Sequence, residues 1–300
     1  MNPALYERLW RVYVAPKGRL GNALQGAVLK AVETARLAPR IARADTIILV
    51  HSQGKVGSSA MYDSMAETPP IPGALVFQTH VIRSPHDPRE IEDRKKITPR
   101  RTAYTTDLLH PLLTRADKGG KKIVVVSAVR DPIDRMISDF FQNLERYTPD
   151  RQYPKPGQHR VDDYLNWFRE RFDVFRSSDW FDEQFCELLG LNLYIEPFDQ
   201  TAGYQIVRGE NVVAGVIRFD RISDAWSPYS ISLTGTDVHL DRTNESSAKA
   251  YGHVYPEFKK RLRLDPTDAQ ALYDLPYVRH FYTETERQAA VAKWTSSPCT

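Results

Sequence analysis

The apolar residues of this chain fall into two kinds of run. DTIILV (45–50) and KIVVVSAV (122–129) are nearly continuous and rich in β-branched residues, as expected of strands buried on both faces. ALVFQTHVI (74–82), set off by the turn TPPIPG, predicts a third strand. A different spacing follows Arg130. Ile133, Met136, Ile137, Phe140, Phe141 and Leu144 recur at helical intervals, so one face of this segment packs on the sheet. Asp131 suits its N-cap and Pro132 its first helical position. VDDYLNWFRERF and SSDWFDEQFCELLG predict two aromatic-rich helices, the second capped by Ser177 or Ser178. NLYIEPF (192–198) reads as a strand, and residues 203–219 as a hairpin whose second arm returns to the sheet. Beyond Asp220 the pattern is loop and helix, with 255–264 the clearest helix.

Strands separated by helical spans imply βαβ units and a parallel sheet. Residues 3–13 and 21–37 predict two further helices, parted by Pro16, Gly18 and Gly21, and 100–118 predicts another. The segments 83–99 and 148–160 read as exposed loops. The organisation expected is a basic helical extension over 1–44 and a single α/β domain over 45–300. The N-terminal helices either cover one face of that domain or touch a membrane surface.

Composition adds bounds. With 41% hydrophobic and 26% charged residues in 300, the chain is an ordinary globular protein with material for a large core. Cys186 and Cys299 form neither a disulfide framework nor a metal spacing, so a cytoplasmic location is expected. No apolar run reaches the length of a membrane span, and MNPALYERLW lacks the order of a signal peptide. Net charge is only +3. The basic residues cluster at 1–43, 94–96, 99–101 and 259–263, on faces that suit acidic glycans, anionic lipid or nucleic acid, or that are simply solvated.

The chemistry concentrates after the first strand, in HSQGKVGSS (51–59). A strand feeding a glycine-containing turn and then a helix aims backbone N–H groups and a helix N-terminus at one spot, a geometry that binds phosphate-like anions. The Walker A pattern, G-x-x-x-x-G-K-[ST], is not matched. Lys55 comes two residues before Gly57 here, and the hydroxyls of Ser58 and Ser59 follow it.

GKVGSS resembles the 5′-phosphosulfate loop of sulfotransferases that use 3′-phosphoadenosine 5′-phosphosulfate (PAPS). VVVSAVRDPIDRMISDFF resembles that family's 3′-phosphate motif, a strand ending in Arg with a Ser eight residues on. The resemblance implies a P-loop-NTPase-like, three-layer α/β fold with a central parallel sheet, of the sulfotransferase type. It implies that Lys55, Val56, Gly57, Ser58 and Ser59 hold the phosphosulfate, with Lys55 also stabilising the leaving phosphate oxygen. Arg130 and Ser138 would hold the 3′-phosphate, for which a planar guanidinium fork is well suited. A triphosphate enzyme would instead need a γ-phosphate cradle and a Mg²⁺ ligand after the lysine. DRTNESSAKAYGHVYPEFKKRL resembles a loop and helix that close over PAPS, with Thr243, Asn244 and Lys249 as further contacts. The ending, FYTETERQAAVAKWTS, is similar to bacterial sulfotransferase-like proteins of capsular polysaccharide synthesis; Trp294 there equally suits a core anchor.

Sulfuryl transfer to a sugar hydroxyl benefits from a general base. Carbohydrate sulfotransferases similar to this chain carry a catalytic His after the second strand, which implies that role for His80. His51 competes, or shapes the loop; Asp63 and Glu67 are weaker candidates. Asp131 and Asp134 are read as helix-start residues, and Arg135 as touching nucleotide or solvent. The expected acceptor is a carbohydrate or glycolipid, with no nucleic acid partner and no metal. The alternatives are an atypical kinase or NTPase, with Asp220 as the candidate Mg²⁺ carboxylate, and a non-catalytic glycan-binding protein of capsule assembly.

Overall fold

The computed structural model describes residues 34–82, 111–240 and 251–296, apart from 36, 112, 115, 116, 176, 177 and 253. The N-terminal helix 3–13, most of the helices expected at 21–37 and 100–118, the loop 83–99, and Ser177, Thr243, Asn244 and Lys249 lie outside the described residues. The strands β1 (Thr46–His51), β2 (Leu75–Thr79), β3 (Lys122–Val129), β4 (Tyr204–Arg208) and β5 (Val212–Arg218) form one five-stranded sheet in the order β2-β1-β3-β5-β4. β1 is parallel to β2 and β3, and β3 to β5. The sheet is not parallel throughout, because β4 returns antiparallel along β5 as the first arm of the expected hairpin.

The continuous apolar runs behave as their composition requires. Ile47, Leu49, Ile123 and Val125 point into one core, and Ile48, Val50, Val124 and Val126 into the other. Helix α1 (Ser58–Glu67) covers the second face with Met61 and Met65. Helix α2 (Pro132–Gln142) covers the first. It begins as the sequence predicts: the Asp131 carboxylate accepts the Asp134 N–H at 2.9 Å, with Pro132 at the first position. Its apolar residues from Ile133 to Phe141 are all buried, each burial stabilising by about 1.5–3 kcal/mol. Phe140 packs edge-on against Phe168 of α3 (Val161–Arg171) and face-on against Phe258 of α5 (Tyr255–Arg261).

The remaining helix of the second face, α4 (Ile222–Thr234), contains Pro228, a residue that hides a helix from periodicity alone. Tyr229 fixes it to the sheet. Its hydroxyl donates to the Gly215 carbonyl at 2.9 Å and accepts the Ser127 N–H at 3.2 Å. A side chain at position 215 would meet that ring at 2.5 Å, so glycine is required there. Helices α6 (Pro266–Tyr273), α7 (Pro276–Phe281) and α8 (Glu284–Thr295) complete the first face. Trp294 is a buried anchor. Arg218, at the end of β5, ties this layer down: it reaches Glu286 of α8 and Asp220, each at 2.7 Å, and lies 4.4 Å over the Tyr282 ring.

Two expected elements differ. Residues 192–198 are not a strand. The Asn192 side chain accepts the Tyr194 N–H at 2.9 Å, an Asx turn that breaks the extended run, and Ile195 is 72% exposed. Gln205 then satisfies the carbonyls of Leu193 and Glu196 by side-chain donation instead of a sheet ladder. The segment following Ser178 is helical but wound as a π-helix over Phe181–Glu187 with Trp180 at its N-cap position, so Ser178 does not cap it. No helix among the described residues is long and apolar enough to cross a membrane.

Candidate functional site

The sheet topology locates a crevice before any side chain is considered. From β1 the chain passes to β2 on one side; from β3 it passes to β5 and β4 on the other. The loops leaving β1 and β3 therefore diverge, α1 to one face and α2 to the other. Ligands of open α/β sheets bind at such a reversal, beyond the carboxyl ends of the strands. Lys55 and Arg130 stand on those two loops.

They are in contact. The Arg130 guanidinium donates through Nη1 to the Lys55 carbonyl at 3.0 Å and lies 4.8 Å over the Phe219 ring, just past β5. The same ring closes on the turn from the other side, since a Cβ at Gly57 would come within 3.1 Å of it. Gly57 has φ of +81° and Lys55 has φ of +73°. A lysine in the left-handed region costs about 1–2 kcal/mol relative to ordinary backbone. Strain of this kind persists where surrounding structure enforces it, commonly at ligand sites. Gly57 is the N-cap of α1, yet no side chain caps the helix and its first turn holds no acidic residue. The positive end of α1 thus has no acidic neutraliser in its own first turn.

The other loop residues divide by burial. Val56 is fully buried in the second core, so only its backbone faces the turn. Ser58 is buried, and its Oγ accepts the Gln78 Nε2–H at 3.2 Å, leaving its O–H to donate. Ser59 is exposed. Ser138 is partly exposed on α2, ~9 Å along the helix from Pro132 at the usual rise per residue. Beside it, Asp134 is engaged by Lys259 of α5 at 2.6 Å. Asp131 accepts the Tyr273 hydroxyl at 2.5 Å, and burial raises its pKa; it remains the helix-start residue that the sequence implies. Of the two readings of Arg135, the solvent-exposed one is excluded. The residue is buried, near Tyr277.

The two histidines are separated by their surroundings. His51, the last residue of β1, is fully buried. Its Nε2–H donates to the Gln184 carbonyl at 2.9 Å, and its Nδ1 lies 3.3 Å from the Thr79 carbonyl. Burial outweighs both carbonyls and lowers its pKa from 6.5 to about 4. His51 is a neutral structural group and cannot meet an acceptor. His80 is exposed at the end of β2, and its Nδ1–H donates to the Ser52 carbonyl at 2.9 Å. That bond selects the tautomer in which Nε2 is the acceptor nitrogen, the form a general base requires. Asp63 and Glu67 are exposed on α1, and Asp220 is held by Arg218.

Sequence reasoning missed Phe219, Trp180 and Gln184. Phe219 was the most accessible of these, because an aromatic residue at a strand end beside a predicted crevice is a contact candidate. Trp180 donates its indole N–H to the His80 carbonyl at 2.7 Å from a hundred residues away, and no local signal announces it. Among the described residues no group of three or more His, Cys, Asp or Glu side chains is placed to hold a metal ion. Compared with protein-family models, curated proteins and solved structures, the chain matches none.

Proposed function

We propose that this protein is a PAPS-dependent sulfotransferase of P-loop-like fold, moving a sulfuryl group to a hydroxyl of a carbohydrate or glycolipid. The observation that carries the reading is the strained, lysine-bearing turn clasped by Arg130 at the reversal point of the sheet. Lys55, the backbone of Val56 and Gly57, and Ser58 and Ser59 hold the 5′-phosphosulfate at the α1 N-terminus. Arg130, its plane fixed by Phe219, and Ser138 hold the 3′-phosphate. Thr243 and Asn244 add nucleotide contacts.

The acceptor oxygen attacks sulfur as the bond from sulfur to the bridging phosphate oxygen breaks. His80 Nε2 takes the hydroxyl proton, and the electron pair of the broken bond stays on the departing 3′-phosphoadenosine 5′-phosphate. Lys55 stabilises the charge that develops there. This sequence of events balances without a metal. The kinase reading is weakened because its candidate carboxylate, Asp220, is occupied by Arg218.

Incubation with sulfur-labelled PAPS and a panel of glycans, glycolipids and small phenols tests the proposal. Label is expected on a saccharide hydroxyl, and Lys55→Ala should abolish transfer while the fold persists. Failure of the full panel to accept label would overturn the enzymatic reading, and undiminished turnover in His80→Ala would remove His80 from the reaction.

A further inference from the structure

His80 stands on an exposed turn, yet it is tied from three directions. Its ring donates to the Ser52 carbonyl at 2.9 Å. Its own carbonyl accepts the Trp180 indole N–H at 2.7 Å. Two residues on, the Ile82 N–H donates to Gln184 Oε1 at 3.0 Å. Trp180 and Gln184 belong to the π-helix and its N-cap, an element that recurs at functional sites. The support is closed beneath by His51, whose ring lies 4.7 Å from that of Trp180 and whose Nε2–H reaches the Gln184 carbonyl.

We propose that Trp180 is a positioning residue for His80, with Gln184 its partner, and that the π-helix exists in this fold to set the tautomer and direction of that imidazole. A buried indole N–H needs an acceptor, and the one that Trp180 takes is the carbonyl of an exposed histidine 100 residues away, so the same bond orders the His80 peptide. The bond fixes the peptide after His80, and so the ring stays within reach of Ser52. Without the indole N–H that carbonyl turns to water, the peptide rotates, and the Nδ1–H bond is lost. Small displacements of this kind cost a catalytic group much of its effect. The inference rests on the sulfotransferase reading only for the proton that His80 would accept; the geometry it predicts is independent of the reaction.

The test uses the full chain with ¹⁵N-labelled histidine. In wild-type protein His80 is expected as the Nδ1–H tautomer. Trp180→Phe keeps a ring in the cavity and removes the donor, so His80 should become a tautomer mixture. Its kcat should fall roughly 10- to 100-fold, with the affinity for 3′-phosphoadenosine 5′-phosphate unchanged. Leu233→Ala, on the opposite face of the sheet, weakens the fold without touching this frame and should leave the tautomer intact. A folded Trp180→Phe protein that retains the wild-type tautomer overturns the proposal. Should that variant not fold, Gln184→Met removes the acceptor for Ile82 and is judged by the same spectrum: loss of the Nδ1–H form supports the proposal and its retention overturns it. If wild-type protein transfers no sulfate to any acceptor, the proposed reaction fails while the tautomer measurement still decides the role of Trp180.

Discussion

His51 offers the most quantitative perturbation. The ring is fully buried between β2 and the π-helix, with carbonyls before both nitrogens, and burial still holds its pKa near 4 against an ordinary 6.5. Because the folded-state value is depressed, protonation favours the unfolded chain. The stability that neutral His51 contributes is complete above pH 6.5, and it is lost as the pH falls toward 4. At ~1.4 kcal/mol per pH unit, that interval amounts to ~3 kcal/mol. His51→Gln keeps an N–H to offer the Gln184 carbonyl but cannot titrate. Denaturant unfolding of both proteins at half-unit steps from pH 7.5 to 4 isolates the effect in the difference between the two curves. The wild type should lose ~3 kcal/mol more than the variant across the interval, with the steepest divergence below pH 6. Parallel curves would refute the reasoning, showing that His51 carries the same proton count in both states.

Three more predictions follow from the crevice and its supports. Lys55→Gly relieves a left-handed backbone, so it should leave stability unchanged or raise it by up to ~1 kcal/mol, while binding of the 5′-phosphosulfate collapses; a lower melting temperature would argue against strain at this turn. Gly57→Ala meets both the positive φ and the Phe219 ring and should cost about 1–3 kcal/mol in urea unfolding. Arg218→Met removes the ion pairs to Asp220 and Glu286 and the contact with Tyr282; because both carboxylates retain solvent, the loss should be ~2–3 kcal/mol, read by calorimetry.

Local chemistry made part of this architecture readable. The β-branched runs of β1 and β3 have no good alternative to buried strands, and Asp131–Pro132 declares a helix start whose apolar spacing then places α2 on the sheet. The turn after β1 was visible because Gly57 and the hydroxyls after it mark a loop entering a helix. What stayed hidden depends on distance or on competing local bonds. The Asx turn at Asn192 defeats an apolar run that looks like a strand, and Pro228 disguises α4. A π-helix has the same composition as an α-helix, so Phe181–Glu187 gives no warning of its winding. The different surroundings of His51 and His80 were not readable from the chain because they depend on contacts with Gln184 and Trp180, 133 and 100 positions away.

Pairing of the two phosphate grips is the central claim, and calorimetric titration of wild-type and Arg130→Ala protein with 3′-phosphoadenosine 5′-phosphate and with ADP addresses it directly. The account predicts that wild-type protein binds the 3′-phosphorylated nucleotide at least ~10-fold more tightly than ADP, a difference of ~1.4 kcal/mol, and that Arg130→Ala erases the preference. Equal affinity for the two nucleotides in wild-type protein, or a preference that survives loss of Arg130, would contradict it.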